Sequence, residues 1–193
     1  MALTQKYPVF TKENYLDFER NQDNRHEFLD GNVYAMAGES QKHSKICYNL
    51  SGITYNKLRG KNCNGFSPNM KIATNDKGLF AYPDLAVVCG ETETLDNRKD
   101  IITNPTVIFE VLSPSTANYD RGEKFLRYTN YIESLNDYIL ISQDEPLVEH
   151  FTRQENGGWE NVEIRGLDAI LEITSIECEI SLSELYEQID FSS

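Results

Sequence analysis

The sequence predicts an α/β (α+β) fold: a mixed central β-sheet flanked by helices, with a hairpin added near the N-terminus and strands and a helix added near the C-terminus. Three features carry this expectation. The runs Leu85 to Cys89 and Val107 to Leu112 are apolar on both faces, as strands covered on both sides are. The stretch Ser40 to Leu58 repeats apolar residues at helical spacing. The elements then follow in the order helix, several strands, helix, strand, which lays helices against a sheet.

The first element is a short helix, KENYLDFERNQ, capped by Thr11, with Tyr15, Leu16 and Phe18 to one side and its end by Asp23-Asn24. RHEFLDG and NVYAMAG read as two strands meeting at Asp30-Gly31-Asn32, a combination that favours a tight hairpin turn, and Glu27 sits on the first of them. Ile46, Cys47, Leu50, Ile53 and Leu58 then mark a long helix that stops near Gly60 and carries His43 on its apolar face. NCNGFSPNMKIAT, LFAYPDLAVVC and NPTVIFEVLSP read as strands, separated by the turn NDKG and a polar loop at 90–104. Ser113 to Thr116 caps a helix bearing Tyr119, Phe125, Leu126, Tyr128 and Tyr131, and DYILIS is a buried strand. The remainder reads as a hairpin turning at Asn156-Gly157-Gly158, a strand region, and a terminal helix from Ser181 to Ile189.

A chain of 193 residues suits one domain spanning 1–193. Its apolar stretches fall well short of the ~20 residues a membrane span needs. Met1 to Phe10 does not read as a signal peptide, and Cys47, Cys63, Cys89 and Cys178 form no C-x-x-C pair, which suits a reducing cytoplasm. The net charge of −13 is unevenly spread. Residues 1–132 carry 16 acidic and 16 basic side chains, whereas residues 133–193 set 15 acids against Arg153 and Arg165 alone. Within 41–78, Lys42, Lys45, Lys57, Arg59, Lys61, Lys71 and Lys77 face Asp76 only, so this segment is a candidate nucleic-acid surface despite the acidic total.

Two carboxylates fall where burial disfavours them: Asp84, after Pro83 at the head of LAVV, and Glu110 inside VIFEVL. Burying ionised carboxylates costs several kcal/mol unless something compensates, and a shared cation is the economical compensation. Oxygen donors without a Cys or His pair at suitable spacing favour Mg²⁺ or Mn²⁺ over zinc.

Tyr82-Pro83-Asp84, then Glu110 in EVLSPST 26 residues later, then Asp120, Lys124 and Tyr128 at four-residue steps, together resemble the Uma-type restriction endonuclease family of the PD-(D/E)xK nuclease superfamily. The resemblance extends from about Tyr15 to Ile189 and includes the EFLDG hairpin. It implies a restriction-endonuclease-like core, with Asp84 and Glu110 on adjacent strands as ligands of Mg²⁺ or Mn²⁺ and phosphodiester hydrolysis as the reaction. Glu27, where the family carries an early acidic residue, is a third ligand on this reading, and Val111 is counted in the metal-binding set. One departure stands out. The superfamily's usual lysine lies two residues after the glutamate, and Leu112 occupies that position. Lys124 is the substitute that the family pattern supports, since Asp120, Lys124 and Tyr128 share one helical stripe.

The implied protein is an endonuclease acting on nucleic acid, DNA in the first place, with no membrane attachment. A homodimer would let two sites address two strands. A non-catalytic module that keeps the nuclease fold to bind nucleic acid or a protein partner is the alternative that Leu112 and the acidic total favour. A metal-free carboxylate pair of the glycosidase kind lacks the aromatic platform such sites use, because Trp159 is the single tryptophan.

Overall fold

The computed structural model describes residues 9–36, 38–74 and 78–191. Most of Met1 to Phe10 and of the turn NDKG, with Asp76 and Lys77, lies outside them. Helix α1 (Lys12–Glu19) begins at Thr11, whose hydroxyl accepts from the Asn14 amide at 3.2 Å. Strands β1 (His26–Leu29) and β2 (Asn32–Ala35) form the expected hairpin. Asp30 and Gly31 take φ of 46° and 89°, as a two-residue turn with both central residues left-handed requires. Helix α2 (Gln41–Leu58) is capped by Ser40, which accepts from the His43 amide at 3.0 Å.

The next six strands are β3 (Cys63–Phe66), β4 (Lys71–Ala73), β5 (Leu79–Ala81), β6 (Leu85–Cys89), β7 (Ile101–Ile102) and β8 (Val107–Leu112). A helical segment follows: α3 (Ala117–Tyr119), one π-helical turn (Asp120–Lys124) and α4 (Phe125–Tyr131). Then come β9 (Asp137–Ser142), β10 (Leu147–Arg153), β11 (Trp159–Arg165), β12 (Ile170–Ile173), β13 (Cys178–Ser181) and the short helix α5 (Leu182–Leu185).

A six-stranded mixed sheet, ordered β11-β10-β9-β8-β6-β3, holds the centre. Its one parallel pair is β8 with β9, joined by the helical segment. The added hairpin belongs to a second, five-stranded sheet, ordered β2-β1-β5-β4-β7. Strand β8 shows why the layers stack this way. Val107, Phe109 and Val111 cluster with Ile46 and Leu50 of α2 and Leu182 and Leu185 of α5. Ile108 and Leu112 cluster instead with Tyr128, Tyr138 and residues of the second sheet such as Ile72 and Ala81. Side chains alternate along a strand, so Glu110 shares the face of Ile108 and Leu112, toward the helical segment. Removing a ring buried as Phe109 is would cost about 3–5 kcal/mol.

Several expectations are corrected. LFAYPDLAVVC is two strands in different sheets, because Pro83 has no amide to donate and interrupts the ladder between β5 and β6. NCNGFSPNMKIAT likewise divides between the two sheets. The polar loop at 90–104 hides β7, whose isoleucines are buried against β4. The terminal helix is only Leu182–Leu185. Cys63 and Cys89 are not unpaired: β3 and β6 set them opposite each other and they form a disulfide. Local C-x-x-C spacing carries no signal of a cross-strand partner, and the cysteines therefore lend no support to a reducing compartment. Among the described residues no helix is long and apolar enough to cross a membrane.

Candidate active site

The interruption at Pro83 releases Asp84 from strand pairing just where the chain passes from one sheet to the other. The Val111 amide donates to Asp84 Oδ2 at 2.6 Å, which ties the head of β6 to β8. Asp84 Oδ1 lies 3.0 Å from His43 Nε2, so α2 supports the carboxylate from its other side.

Glu110 is 4% exposed. Its Oε1 lies 2.8 Å from Lys124 Nζ, a charge contact that leaves this buried oxygen without an aligned hydrogen bond. Lys124 Nζ also lies 3.2 Å from Glu27 Oε1 and 3.7 Å from Asp120 Oδ1. Glu27 Oε1 accepts from the Tyr82 amide at 3.2 Å, so the strand break also anchors the hairpin acid. The π-helical turn turns Asp120 and Lys124 inward, each 4% exposed, above the fully buried Tyr128. Such turns interrupt α-helices frequently at functional sites.

The structure thus brings Asp84, Glu110, Glu27 and Lys124 together, and the Lys124–Asp120 pair is a buried contact rather than a surface one. Val111 lies at the same place, with its amide serving Asp84; its side chain has no ligand atom, which leaves only the backbone carbonyl for a metal. Leu112 is in the core at 5% exposure, and Lys124 supplies an amine in its stead. Two further residues join the cluster, Asp120 and His43. Both were visible as polar residues spaced at helical steps, His43 on an apolar face and Asp120 one turn before Lys124, but nothing local shows which way a helix faces.

Three carboxylates, Glu27, Glu110 and Asp120, here surround the Lys124 ammonium, and Asp84 lines the same cavity. Burial pushes the Glu110 carboxyl well above its usual range, Lys124 opposes this, and Asp120 and Asp84 add to it. Asp120 is raised for the same first reason. Burial works against the Lys124 ammonium, but the Glu110 and Glu27 carboxylates outweigh it and hold the amine charged. For His43 too, burial opposes the charged form, and the hydrogen bond and charge of Asp84, with the charges of Glu39 and Asp120, together outweigh it. The hydroxyls of Tyr119 and Tyr128 are buried without a hydrogen-bond partner. Tyr119 and the charged groups line a cavity of about 470 Å³ whose wall includes Arg25, Glu27, Asp84, Glu110 and Lys124. Surplus negative charge and a buried carboxylate oxygen without an aligned donor fit a hard divalent cation, which would take both.

Among the described residues, the basic side chains of the segment 41–78 do not all lie on one surface. Lys71 is buried between the rings of Tyr15 and Tyr82, 5.4 Å from each centroid. Lys61 donates to the carbonyls of Ile176 and Glu177, and Lys57 and Lys61 line a cleft with Glu172, Glu177 and Glu179.

A family model described as "Putative restriction endonuclease" matches residues 12–183. The chain belongs to the Uma2 family. Two relatives from Synechocystis bear the description "Uncharacterized protein". The first, slr1290, is 33% identical over 185 residues, which is 96% of this chain and 95% of the relative. The second, sll1609, is 31% identical over 166 residues, 86% of this chain and 93% of the relative. The fold matches a crystal structure from Anabaena variabilis, described as "a putative nuclease belonging to DUF820". That match has a TM-score of 0.77 at 16% identity and covers 94% of this chain and 99% of the other. The Uma2 membership and the shared architecture place this chain among proteins described as nucleases, and its central mixed sheet with flanking helices is restriction-endonuclease-like.

Proposed function

We propose that this protein is a metal-dependent endonuclease that hydrolyses phosphodiester bonds in DNA. The observation that carries the proposal is a pair of carboxylates, Asp84 at the head of β6 and Glu110 in the adjacent β8, that line one cavity with the buried Lys124 ammonium, 2.8 Å from Glu110. Asp84, Glu110, Glu27 and the Val111 carbonyl are the residues that would hold Mg²⁺ or Mn²⁺. Such an ion supplies Lewis acidity and positive charge at the scissile phosphate, worth several kcal/mol of barrier.

The chain's own groups do the rest. The Val111 amide and His43 fix Asp84 from two sides, so the carboxylate is oriented before substrate arrives. Lys124, charged among acids, acts as a donor rather than a base: its ammonium can reach a non-bridging phosphate oxygen while Glu110 and Glu27 hold it in place. Preorganised fixed charge of this kind is usually the largest single contribution to catalysis. Arg25, whose guanidinium lies 5.7 Å from the Tyr82 ring centroid, lines the same cavity and adds positive charge for a flanking phosphate. Two such sites in a homodimer would address both strands of a duplex.

Calorimetric titration of Mn²⁺ into the metal-free protein tests the ligand assignment. One site per chain, absent in Asp84→Asn, is expected; unchanged binding in that variant would remove the basis of the proposal.

A further inference from the structure

The face of α2 that packs on the central sheet through Ile46 and Leu50 is interrupted by two polar donors one helical turn apart, His43 and Cys47. His43 Nε2 is 3.0 Å from Asp84 Oδ1, and one donor atom from each of His43, Cys47 and Asp84 lies within 4.8 Å of the other two. An imidazole nitrogen, a sulfur and a carboxylate oxygen therefore converge from two elements, at residues 41 and 37 positions apart from Asp84 in sequence.

We infer that His43, Cys47 and Asp84 form a second metal site, suited to a borderline divalent ion such as Zn²⁺ or Co²⁺ and sharing Asp84 with the oxygen-only set. The donor chemistry decides the ion: Mg²⁺ and Mn²⁺ favour oxygen ligands, whereas imidazole and thiolate select zinc-like metals. A mixed His/Cys pair at this spacing carries neither the Cys–Cys nor the His–His signature by which zinc ligands stand out in a sequence. The geometry is nearly closed. Zinc held at about 2.0–2.3 Å from each donor needs donors roughly 3.3–3.8 Å apart, so side-chain adjustments of about 1 Å complete the set. Three protein ligands leave one position open, as in zinc sites that exchange a ligand. Here it opens on the cavity, whose wall includes His43 and Asp84. Coordination releases the Cys47 thiol proton to solvent, which makes binding stronger as pH rises.

Because Asp84 belongs to both sets, zinc bound to His43 and Cys47 draws that carboxylate away from the hard ion and suppresses cleavage. This consequence rests on the nuclease reading; the binding site does not.

Titration of Co²⁺ into the full-length metal-free chain tests the site, because a bond from cobalt to thiolate gives a charge-transfer absorption that oxygen ligands do not. The expected result is one equivalent of that band, lost in Cys47→Ser and in His43→Ala and kept in Cys178→Ser, the other free cysteine. Zinc, titrated calorimetrically, should bind Cys47→Ser at least about 100-fold more weakly than wild type, beyond the loss caused by removing an outer-shell partner. Circular dichroism of each variant verifies the fold, and the conservative Cys47→Ser decides the test if His43→Ala does not fold. No band in wild type, or a band that survives Cys47→Ser, overturns the inference. Plasmid cleavage in Mg²⁺, run on the same preparation, reports separately on the nuclease: a cobalt–sulfur band without cleavage keeps this site and rejects that activity, and cleavage without a band does the reverse.

Discussion

Strand β9 begins at one buried carboxylate and, three residues on, at Leu140, pairs with another. Asp137 is 1% exposed; its Oδ1 lies 2.6 Å from His150 Nε2 and within 3.5 Å of Thr152 Oγ1, and Ser175 donates to Oδ2. Glu110, about 10 Å away along the pair of strands, is nearly as buried, yet one of its oxygens has no aligned donor and a cavity lies beside it. Burial of an acid is common to both clusters, so burial does not mark the site. What differs is completion. The Asp137 network is closed and satisfied, a structural device, despite containing the serine, histidine and aspartate of a hydrolytic triad; its serine bonds the aspartate instead of the histidine. The Glu110 cluster is left with excess charge and open valences, which evolution tolerates where a ligand completes them.

That contrast can be broken by experiment. His150→Ala strips a partner from a closed network and should cost about 3–5 kcal/mol, read as a fall in denaturation midpoint, while cleavage per folded molecule stays at the wild-type rate. In the open cluster a ligand should stabilise: Mg²⁺ at about 100 times its Kd should add about 2.7 kcal/mol to the wild type and nothing to Asp84→Asn, measured by thermal unfolding. Asp120→Asn removes one of three acids crowded about one ammonium, and should raise the stability of the metal-free protein by about 1 kcal/mol. Equal destabilisation by His150→Ala and Asp120→Asn would erase the distinction.

The smallest effect is in pH dependence, and its sign separates the open cluster from an ordinary ion pair. Arg20 donates to both oxygens of Asp100, at 2.7 and 2.8 Å, and this hydrogen bonding holds the carboxyl below its usual range. Its contribution is present at neutral pH and lost as pH falls through that lowered value. Glu110 is raised, so the folded metal-free protein binds a proton that the unfolded chain has already released. Its penalty is full above the raised value and relieved as pH falls toward the ordinary carboxylate range. Midpoints measured against pH should therefore rise on acidification for wild type relative to Glu110→Gln across that window; the opposite slope would contradict the assignment.

Much of this is written locally in the chain. The apolar stripe of α2, the Asp30-Gly31 turn and the doubly apolar β8 each follow from spacing or backbone preference, and Asp84 and Glu110 stand out because charge interrupts an apolar run. The partition into two sheets was hidden, since LFAYPDLAVVC has the same pattern whether its two halves join one ladder or two. The Cys63–Cys89 pairing and the approach of His43 to Asp84 arise from register and packing between segments 26 and 41 residues apart, which no local period encodes. The inward turn of Lys124 depends on a π-helical turn whose extra residue rotates the face, and the D-x-x-x-K-x-x-x-Y spacing reads equally well as a solvent-exposed ion pair.

The central claim, that the open cluster is a nuclease centre, is tested most directly by incubating the purified protein with supercoiled plasmid in Mg²⁺, in Mn²⁺ and in EDTA, beside Asp84→Asn and Lys124→Gln. The account predicts cleavage that requires metal and falls by about 10²–10³ in each variant, the loss expected when one preorganised charge is removed. Plasmid left intact by wild type in both metals, or cut equally by all three proteins, would contradict it.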